Sequence, residues 1–186
     1  MRDNQNRALC VIPARGGSKR IPRKNVKDFL GKPLIAYSIE AALNSGVFER
    51  VIVSTDDAEI AYVAVKFGAQ VPFMRDAALS DDYATSSDAV ADAARRLGGG
   101  YSHVCCLYAT APLITGEILR EAYGKFEEAE CEFLFSATAF SFPIQRAIRL
   151  GDDGAVNMFY PQFALTRSQD LERAYHDAGA FYFGRR

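Results

Sequence analysis

Short apolar runs alternate with stretches of helical periodicity along most of the chain. Five runs have the length and composition of buried strands, at residues 8–12, 50–54, 70–74, 103–108 and 132–139. Between them, apolar positions recur at i, i+3, i+4 and i+7, which predicts amphipathic helices over residues 34–45, 56–67, 88–97 and 115–128. Short links join these elements, so we predict an α/β fold in which a parallel sheet lies between two layers of helices.

The pattern changes at residue 140, where aromatic residues become crowded and the helical periodicity is lost. Residues 144–150 and 155–160 flank a Gly-Asp-Asp-Gly turn and predict a hairpin. We therefore divide the chain into a core of residues 1–139, an appendage of residues 140–178 and a returning core strand within residues 179–186. Aromatic residues on an extended hairpin favour a dimer contact, and the alternative is a lid that packs on its own subunit.

The composition of the chain argues against nucleic acids and membranes as binding partners. The chain has 186 residues, of which 49% are hydrophobic, and a net charge of −1. A nearly neutral protein is not expected to be a general nucleic-acid binder, because such binding depends on many cationic contacts to phosphates. No apolar stretch approaches the ~20 residues of a membrane helix, and residues 1–7 lack the apolar centre of a signal peptide. We expect a cytoplasmic protein with no membrane partner.

The four cysteines support the same expectation. They are Cys10, Cys105, Cys106 and Cys131, and no Cys-x-x-Cys pair occurs. Two of them are neighbours inside an apolar run, where they would point to opposite faces of a strand. We interpret all four as reduced core residues of a cytoplasmic protein, with no role in a disulfide or a metal site.

A basic, glycine-containing segment follows the first predicted strand. Pro13 ends the strand, Gly16 and Gly17 allow a sharp turn, and no acidic residue occurs between residues 14 and 27. The basic residues of this segment are Arg15, Lys19, Arg20, Arg23, Lys24 and Lys27. A glycine turn after a first strand, with amides and cations converging on it, is suited to a polyphosphate, and the alternative is a solvated basic loop. The segment is neither a Walker A loop nor a Gly-x-Gly-x-x-Gly turn.

Two other predicted strand ends carry polar residues. Ser54, Thr55, Asp56 and Asp57 follow the second run, and the preferred interpretation is that they cap the next helix. Arg75 follows the third run and precedes a Ser- and Thr-rich segment at residues 80–87. Ligands of parallel sheets bind beyond the carboxyl ends of the strands, so these positions are candidates for a binding site.

The string at residues 8–25 resembles the N-terminal signature of the cytidylyltransferases that activate nonulosonic (sialic-type) acids. It consists of a strand, then Pro-Ala-Arg-Gly-Gly-Ser-Lys, then a basic loop that ends in Lys-Asn. The resemblance implies a three-layer, Rossmann-like nucleotidyltransferase sheet with an inserted dimerisation hairpin, and a loop that wraps the phosphates of CTP. It implies catalytic charge neutralisation by Arg15, Lys19 and Lys24. The nucleotide contacts that it implies are Ala14, Arg15, Gly16, Gly17, Ser18, Lys24, Asn25, Arg75, Ser86 and Tyr108.

Within that resemblance, Arg75, Ser86 and Asn25 are expected to hold the cytosine and the ribose. Ser86 follows Asp82 at the four-residue spacing of the family. Distinguishing cytosine from uracil requires an acceptor for the 4-amino group and donors for the carbonyl and N3. Ser86 is equally a candidate helix cap, and the two roles are compatible.

Several strings resemble the pseudaminic acid branch of this family. Residues 108–112 read Tyr-Ala-Thr-Ala-Pro, where many sialate enzymes have Gln-Pro-Thr-Ser-Pro. Residues 142–146, 166–171 and 175–179 resemble the same branch. The contacts to the sugar that this implies are Thr110, Gln145, Arg167, Gln169 and Gly179, with Arg167 toward the sugar carboxylate. The resemblance also implies a homodimer, and His176 receives no catalytic role.

The reaction implied is attack of the anomeric hydroxyl of an acidic nine-carbon sugar on the α-phosphorus of CTP, with pyrophosphate leaving and Mg²⁺ as cofactor. The family holds magnesium with an Asp-x-Asp pair, and no such pair occurs in the 186 residues, so the metal ligands stay unassigned. Alternative substrates are N-acetylneuraminate and legionaminate. A non-catalytic nucleotide-binding protein is a second hypothesis. A glycosyltransferase is a third, disfavoured because no Asp-x-Asp ends a mid-domain strand.

Overall fold

The structure is a computed structural model that describes residues 7–81 and 83–186. Asp82, which the sequence analysis pairs with Ser86, lies outside the described residues. The described residues form two compact units, one within residues 7–135 and 179–186 and the other of residues 136–178. The second unit begins at residue 136, whereas the sequence analysis places the start of the appendage at residue 140.

A five-stranded sheet forms the centre of the first unit, with the strand order β4-β1-β5-β9-β6. Strand β1 (Ala8–Pro13) pairs in parallel with β4 (Phe48–Ser54) and with β5 (His103–Leu107). Strand β9 (Tyr175–Arg185) runs antiparallel to β5, and β6 (Phe133–Ala139) is at the edge. The sheet is therefore parallel around β1 and mixed beyond β5.

In the described part of the chain, four helices connect the strands, and local sequence explains one end of each. They are α1 (Leu34–Ser45), α2 (Ala58–Lys66), α3 (Ser86–Arg96) and α4 (Gly116–Glu128). The side chains of Asp57, Thr85 and Thr115 accept hydrogen bonds from backbone amides in the first turns of α2, α3 and α4. Gly46, with φ of 67°, ends α1 as predicted.

Side chains on both faces of β1 are buried, so the sheet is covered on two sides. Leu9 and Val11 belong to a cluster with Ala93 of α3. Cys10 and Ile12 belong to the other cluster, with residues of α1, α2 and α4. Because successive side chains of a strand point to opposite faces, this division confirms the predicted three-layer arrangement.

Two short strands lie between the basic segment and α1. Strand β2 (Asp28–Phe29) pairs with β3 (Lys32–Pro33), and the turn between them has positive φ at Leu30 and Gly31. The basic segment itself contains a 3₁₀ turn at Lys24–Val26. A second 3₁₀ turn, Ala77–Leu79, precedes α3.

Two strand predictions need correction. The strand predicted at residues 70–74 is wrong, since this stretch makes only isolated bridges from Gln70 to Ile52 and from Met74 to Thr55. Pro72 has no amide hydrogen to complete a ladder there. The returning strand, predicted within residues 179–186, is longer and begins at Tyr175, and it runs antiparallel in a sheet predicted to be parallel.

The second unit contains the predicted hairpin in a shorter form. Strand β7 (Ile148–Leu150) pairs antiparallel with β8 (Val156–Met158). Residues predicted as the start of the first hairpin strand form instead a 3₁₀ turn, Ile144–Arg146, and two further 3₁₀ turns follow at Pro161–Phe163 and Ser168–Asp170. Arg146 donates hydrogen bonds to the carbonyls of Ala164 and Thr166, so its side chain joins two segments of this unit.

The cysteines are all free thiols. Cys10 and Cys105 are buried on adjacent strands, whereas Cys106 and Cys131 are only half-buried, which corrects the prediction that all four are core residues. Burial raises the pKa of Cys106 to about 12.

A buried polar cluster lies at the end of the sheet opposite the basic segment. His103, which is 2% exposed, has its Nδ1 2.9 Å from the Tyr123 hydroxyl, and Arg185 Nη1 lies 3.2 Å from its Nε2. A guanidinium can only donate, so Nε2 accepts and Nδ1 carries the hydrogen. Glu127 lies 3.5 Å from Nδ1. Burial nevertheless lowers the pKa of His103, which favours the neutral ring.

The edge strand β6 presents large apolar side chains to solvent. Phe133 is 73% exposed and Phe135 is 53% exposed. They are two residues apart and therefore lie on the same face of the strand, where the ring of Phe135 stacks on Tyr182 of β9 at 6.2 Å. Phe133 and Tyr182 line an apolar groove of about 400 Å³ together with Val90 and Ala94 of α3.

Candidate active site

A polar cavity of about 560 Å³ lies beyond the carboxyl ends of β1 and β5. The residues that line it come from four places: the basic segment after β1, the segment around Arg75, the start of α3 and the end of β5. Of the predicted site residues, the lining includes Arg15, Ser18, Lys19, Lys24, Asn25, Arg75, Ser86, Tyr108 and Thr110. The fold therefore brings together residues that are widely separated in sequence.

Hydrogen bonds hold the glycine turn against β4. The amide of Ala14 donates to the carbonyl of Ser54 at 2.9 Å, and the amide of Gly16 donates to Asp56 Oδ1 at 3.0 Å. A Cβ at Gly16 would lie 2.6 Å from Asp57 Oδ2, a distance that real side chains do not reach. The close approach of Asp57 therefore explains why glycine stands at position 16, and Asp56, predicted as a helix cap, instead fixes the turn.

Asn25 closes the basic segment into a loop. It is only 6% exposed, and its Nδ2 donates a 3.0 Å hydrogen bond to the carbonyl of Arg15. Arg15 Nη1 in turn donates to the carbonyl of Asp81 at 2.5 Å, which joins the loop to the far side of the cavity. Asn25 thus has a structural contact as well as a position in the cavity wall.

The six basic residues of the segment are not equivalent. Arg15, Lys19, Arg20 and Lys24 line the cavity. Arg23 does not, and instead forms ion pairs with Asp57 and Glu59. Arg20 was not among the predicted site residues, although its place in the basic segment was a sufficient signal. Four cations from one short loop give this cavity a strongly positive wall.

Arg75 supplies a fixed cation on another wall. Its Nε donates to Ser80 Oγ at 3.0 Å, its Nη1 donates to the carbonyl of Ser54 at 3.2 Å, and its Nη2 lies 3.9 Å from Asp56. Burial lowers the pKa of the Arg75 guanidinium, which nevertheless stays charged because the ordinary value of arginine is so high. These contacts leave the guanidinium little rotational freedom.

The N-terminus of α3 reaches the same cavity. Thr85 and Asp88 form a reciprocal capping box, and Ser86, the first helical residue, lines the cavity beside Thr85. The hydrogen bond from the Thr85 hydroxyl lowers the pKa of the Asp88 carboxyl. Ser86 is therefore adjacent to the cap and is not itself the cap.

Tyr108 is held at the end of β5 by its backbone. Its amide donates to the carbonyl of Ala180 at 2.8 Å, and its carbonyl accepts from Ser38 Oγ of α1 at 2.8 Å. The ring lies 5.5 Å from that of Tyr182. Ser38, which is fully buried, was missed by the sequence analysis because a serine inside an apolar helix face carries no signal of its target.

Other predicted residues have different positions. Ala14, Gly16 and Gly17 form the turn without being part of the cavity lining. Gly179 has φ of 62°, a value that favours glycine, within β9.

Three predicted sugar contacts belong to the second unit. Gln145 Nε2 donates to the carbonyl of Glu172 at 3.1 Å, and its Oε1 is buried without a hydrogen-bond partner among the residues that the structure describes. Arg167 Nε donates to Asp170 Oδ2 at 2.7 Å, and the side chain is 72% exposed. Gln169 lies beside this pair in the same 3₁₀ turn and is exposed.

Within residues 7–81 and 83–186, no group of three or more His, Cys, Asp or Glu side chains could hold a metal ion. None of the helices in the described part of the chain is both long enough and apolar enough to cross a membrane.

Comparisons with known proteins identify several relatives of this chain. A curated relative, the pseudaminic acid cytidylyltransferase of Campylobacter jejuni (serotype O:23/36, strain 81-176), is 61% identical over 95% of this chain and 77% of its own length. The CMP-N,N'-diacetyllegionaminic acid synthase of Legionella pneumophila is 43% identical over 62% of this chain and 51% of its own length. The solved structure of a CMP:2-keto-3-deoxy-manno-octonic acid synthetase complexed with CTP matches with a TM-score of 0.70 and 22% identity, over 97% of this chain and 74% of the other.

The last of these comparisons supports the fold alone, whereas the sequence comparisons support the family. Residues 9–186, from β1 to the end of the chain, match the family described as Cytidylyltransferase, and the chain belongs to that family.

Proposed function

We propose that this chain is a cytidylyltransferase that joins CTP and pseudaminic acid to give the CMP-sugar and pyrophosphate. The observation that carries the proposal is the cavity beyond the carboxyl ends of β1 and β5. Arg15, Lys19 and Lys24 of the basic segment lie in one wall of this cavity, and the buried Arg75 lies in another. The identity of 61% to a relative named for pseudaminic acid supports the choice of sugar.

In the proposed reaction, the anomeric hydroxyl oxygen of the sugar forms a bond to the α-phosphorus of CTP. The bond from that phosphorus to the bridging oxygen of pyrophosphate breaks, and the hydroxyl proton passes to solvent. Positioning and charge stabilisation account for most of the catalysis in such transfers. Arg15, Lys19 and Lys24 have the charge and the location to offset the negative charge that develops on the leaving pyrophosphate.

Arg75, Ser86 and Asn25 are proposed to hold the cytosine and the ribose. All three line the cavity, and Arg75 is already fixed by hydrogen bonds to Ser54 and Ser80. A donor that is fixed before binding loses little conformational entropy when the ligand arrives. The side chains of Tyr108 and Thr110 lie at the end of β5, and we propose that Thr110 contacts the sugar.

Magnesium remains a proposed cofactor, and the described residues do not identify its ligands. They offer no cluster of three metal-ligating side chains, and Asp57 is already engaged by Arg23. No step of the mechanism above is therefore routed through a metal. Pyrophosphate release measured with and without added Mg²⁺, after treatment with EDTA, tests whether the reaction needs it.

Gln145, Arg167, Gln169 and Gly179 are proposed to contact the acidic sugar. Support comes from Gln145, whose buried Oε1 is without a hydrogen-bond partner among the described residues, since buried acceptors in folded proteins rarely stay unpaired. The exposed Arg167 guanidinium has the planar fork that fits a carboxylate.

A homodimer through the second unit is part of the same proposal. Phe142, Phe159 and Leu165 of this unit are 64%, 56% and 98% exposed, and exposed apolar residues in one unit are typical of an interface. Deletion of residues 144–160 should then give a folded monomer by light scattering. A dimer that survives this deletion would place the interface elsewhere.

The decisive experiment measures pyrophosphate release with CTP and each of three sugars: pseudaminic acid, N-acetylneuraminic acid and N,N'-diacetyllegionaminic acid. We expect the highest kcat/KM for pseudaminic acid, and UTP serves as the nucleotide control. A higher kcat/KM for N-acetylneuraminic acid or N,N'-diacetyllegionaminic acid would show that this sugar, and not pseudaminic acid, is the preferred substrate. Binding of CTP without pyrophosphate release from any sugar would instead favour a non-catalytic nucleotide-binding protein.

A further inference from the structure

Arg23 is the basic residue of the loop whose side chain pairs with the start of α2 and is not part of the cavity lining. Its Nη1 and Nη2 lie 2.5 Å and 3.0 Å from Asp57 Oδ2 and Oδ1, which is a two-pronged guanidinium–carboxylate pair. Nη2 also donates to Glu59. These contacts raise the pKa of Arg23 and lower that of Asp57, chiefly through the hydrogen bonds between the two groups.

The backbone of Arg23 is in a conformation that arginine rarely adopts. Its φ is 55° and its ψ is 27°, in the left-handed region that favours glycine. Arg23 directly precedes the 3₁₀ turn Lys24–Val26, so its left-handed conformation directs the chain into that turn. The ion pairs of its side chain offset a backbone strain that glycine would not have.

Asp57 is the point at which the two ends of the glycine loop meet. Its Oδ2 accepts a hydrogen bond from Arg23 Nη1, and the same atom would clash with a Cβ at Gly16. Its Oδ1 accepts from the amide of Ile60 at 3.0 Å, which fixes the carboxylate to the first turn of α2. The start of α2 therefore lies against both parts of the loop: Asp57 holds Arg23, and the preceding Asp56 holds the amide of Gly16.

We infer that the Arg23–Asp57–Glu59 cluster is a latch that holds the loop in the shape that receives the nucleotide phosphates. Arg23 and Asp57 are positioning residues, which act through the next two residues of the chain, Lys24 and Asn25. Both of these line the cavity, and Asn25 is tied to the carbonyl of Arg15. The inference rests on the proposed function in so far as the phosphates are those of CTP.

Such a latch acts on affinity more than on chemistry. An open loop must close before or during binding. The apparent affinity is therefore the affinity of the closed form multiplied by the fraction of molecules that are closed. Once CTP is bound, Lys24 and Arg15 have the same geometry as in the wild type. We therefore expect loss of the latch to raise the KM for CTP by roughly three- to tenfold, with kcat and the KM for the sugar within about twofold of the wild type.

Four variants separate the latch from the backbone strain and from simple loss of charge. Arg23→Ala removes the ion pairs and keeps the strain, whereas Arg23→Gly removes the ion pairs and relieves the strain. Asp57→Asn removes the charge and keeps a side chain that caps α2. Lys27→Ala is the matched control, because Lys27 is an exposed cation of the same segment that is not part of the cavity lining.

The kinetic test compares these variants under identical salt conditions. Arg23→Ala should show the largest rise in the KM for CTP, because it loses both ion pairs and keeps the backbone strain. Arg23→Gly, which relieves the strain, and Asp57→Asn, which keeps the pair with Glu59, should show smaller rises. Lys27→Ala should resemble the wild type. In the double variant, Asp57→Asn should add no further rise to that of Arg23→Ala. Equal KM values for the wild type and Arg23→Ala would overturn the inference, and so would additive effects in the double variant.

Hydrogen exchange without any nucleotide tests the latch separately from the proposed function. Amides of residues 16–26 should exchange faster in Arg23→Ala and Asp57→Asn than in the wild type or Lys27→Ala. Unchanged exchange would show that there is no latch, even if CTP binds. If instead the wild type fails to bind CTP while exchange responds as expected, the proposed function fails and the latch remains.

Discussion

The hydroxyl of Ser38, buried in α1, donates a 2.8 Å hydrogen bond to the carbonyl of Tyr108 at the end of β5. One buried side chain of a helix thus fixes the backbone of a cavity residue directly after the end of a strand. Ser38→Ala should leave the Tyr108 carbonyl without this donor and cost about 1–3 kcal/mol of unfolding free energy in urea titrations. Ser45→Ala is a useful comparison, since this buried hydroxyl of α1 has local partners: it donates to the carbonyl of Ala42 and accepts from the amide of Val47. A Ser38→Ala variant as stable as the wild type would show that this bond is unimportant.

Gly16→Ala should destabilise the protein, because the new Cβ would lie 2.6 Å from Asp57 Oδ2 and 3.1 Å from Asp57 Cβ. Asp57 cannot move freely while it caps α2 and pairs with Arg23. The expected loss of unfolding free energy is about 1–3 kcal/mol, as for other overpacked sites. Gly17→Ala is matched in sequence but meets nothing within 4 Å, so its unfolding free energy should be nearly unchanged. Equal losses in the two variants would contradict this explanation.

Arg15→Ala should severely weaken the use of CTP. The guanidinium lines the cavity and donates to the carbonyl of Asp81, so the variant loses both a cation and a brace across the cavity. A charge-assisted contact contributes about 1.5–3 kcal/mol, or roughly ten- to a hundredfold in kcat/KM for CTP. Steady-state kinetics with varied CTP measure this, with Lys27→Ala as the charge control. Wild-type turnover at low CTP would refute the phosphate role of the loop.

Arg167→Lys should raise the KM for the acidic sugar and leave that for CTP nearly unchanged. Lysine keeps the positive charge but cannot form two parallel hydrogen bonds to a carboxylate. In the structure Arg167 pairs with the exposed Asp170, a contact that a bound carboxylate would have to displace. Asp170→Asn is a useful companion, because it should lower the KM for the sugar by releasing the guanidinium. Damage to CTP affinity in Arg167→Lys would exclude the carboxylate role.

Protonation of His103 should destabilise the protein at acidic pH. Burial lowers its folded-state pKa below the unfolded value of 6.5, so the folded protein binds its proton less well than the unfolded chain does. The stability is therefore complete above pH 6.5 and decreases as the pH falls below it, by up to about 1.4 kcal/mol per pH unit. Arg185 opposes the proton, while Glu127 partly favours it. His103→Gln, which does not titrate, should flatten this segment of the stability profile measured by urea unfolding between pH 5 and 8.

Two helix boundaries could be predicted because local residues determine them. Asp57 caps α2 and Gly46 ends α1, each within a few residues of the signal. The glycine turn was visible in the sequence, but its hydrogen bond to Asp56, 40 residues away, was not. The antiparallel pairing of β9 with β5 could not be predicted in this way. It joins His103 to Arg185, and nothing in either segment specifies the direction of the partner.

The roles of the basic residues were only partly visible in the sequence. Arg23 and Lys24 are neighbours in one basic run, yet Lys24 lines the cavity whereas Arg23 is paired with Asp57 and Glu59. The difference depends on an acidic helix end 34 residues away and on a left-handed backbone at Arg23. Charge and spacing alone cannot distinguish a ligand contact from an ion pair of this kind.

The phenylalanines of β6 also determine how this polypeptide should be handled. A sheet edge has backbone groups that can pair with another chain, and here Phe133 and Phe135 add apolar surface to that edge. Concentrated samples are therefore prone to edge-to-edge aggregation, which would bind hydrophobic dyes and increase with protein concentration. Phe133→Lys, at the more exposed of the two positions, would act as a gatekeeper that keeps the sample dispersed, and Phe133 is not part of the lining of the nucleotide cavity.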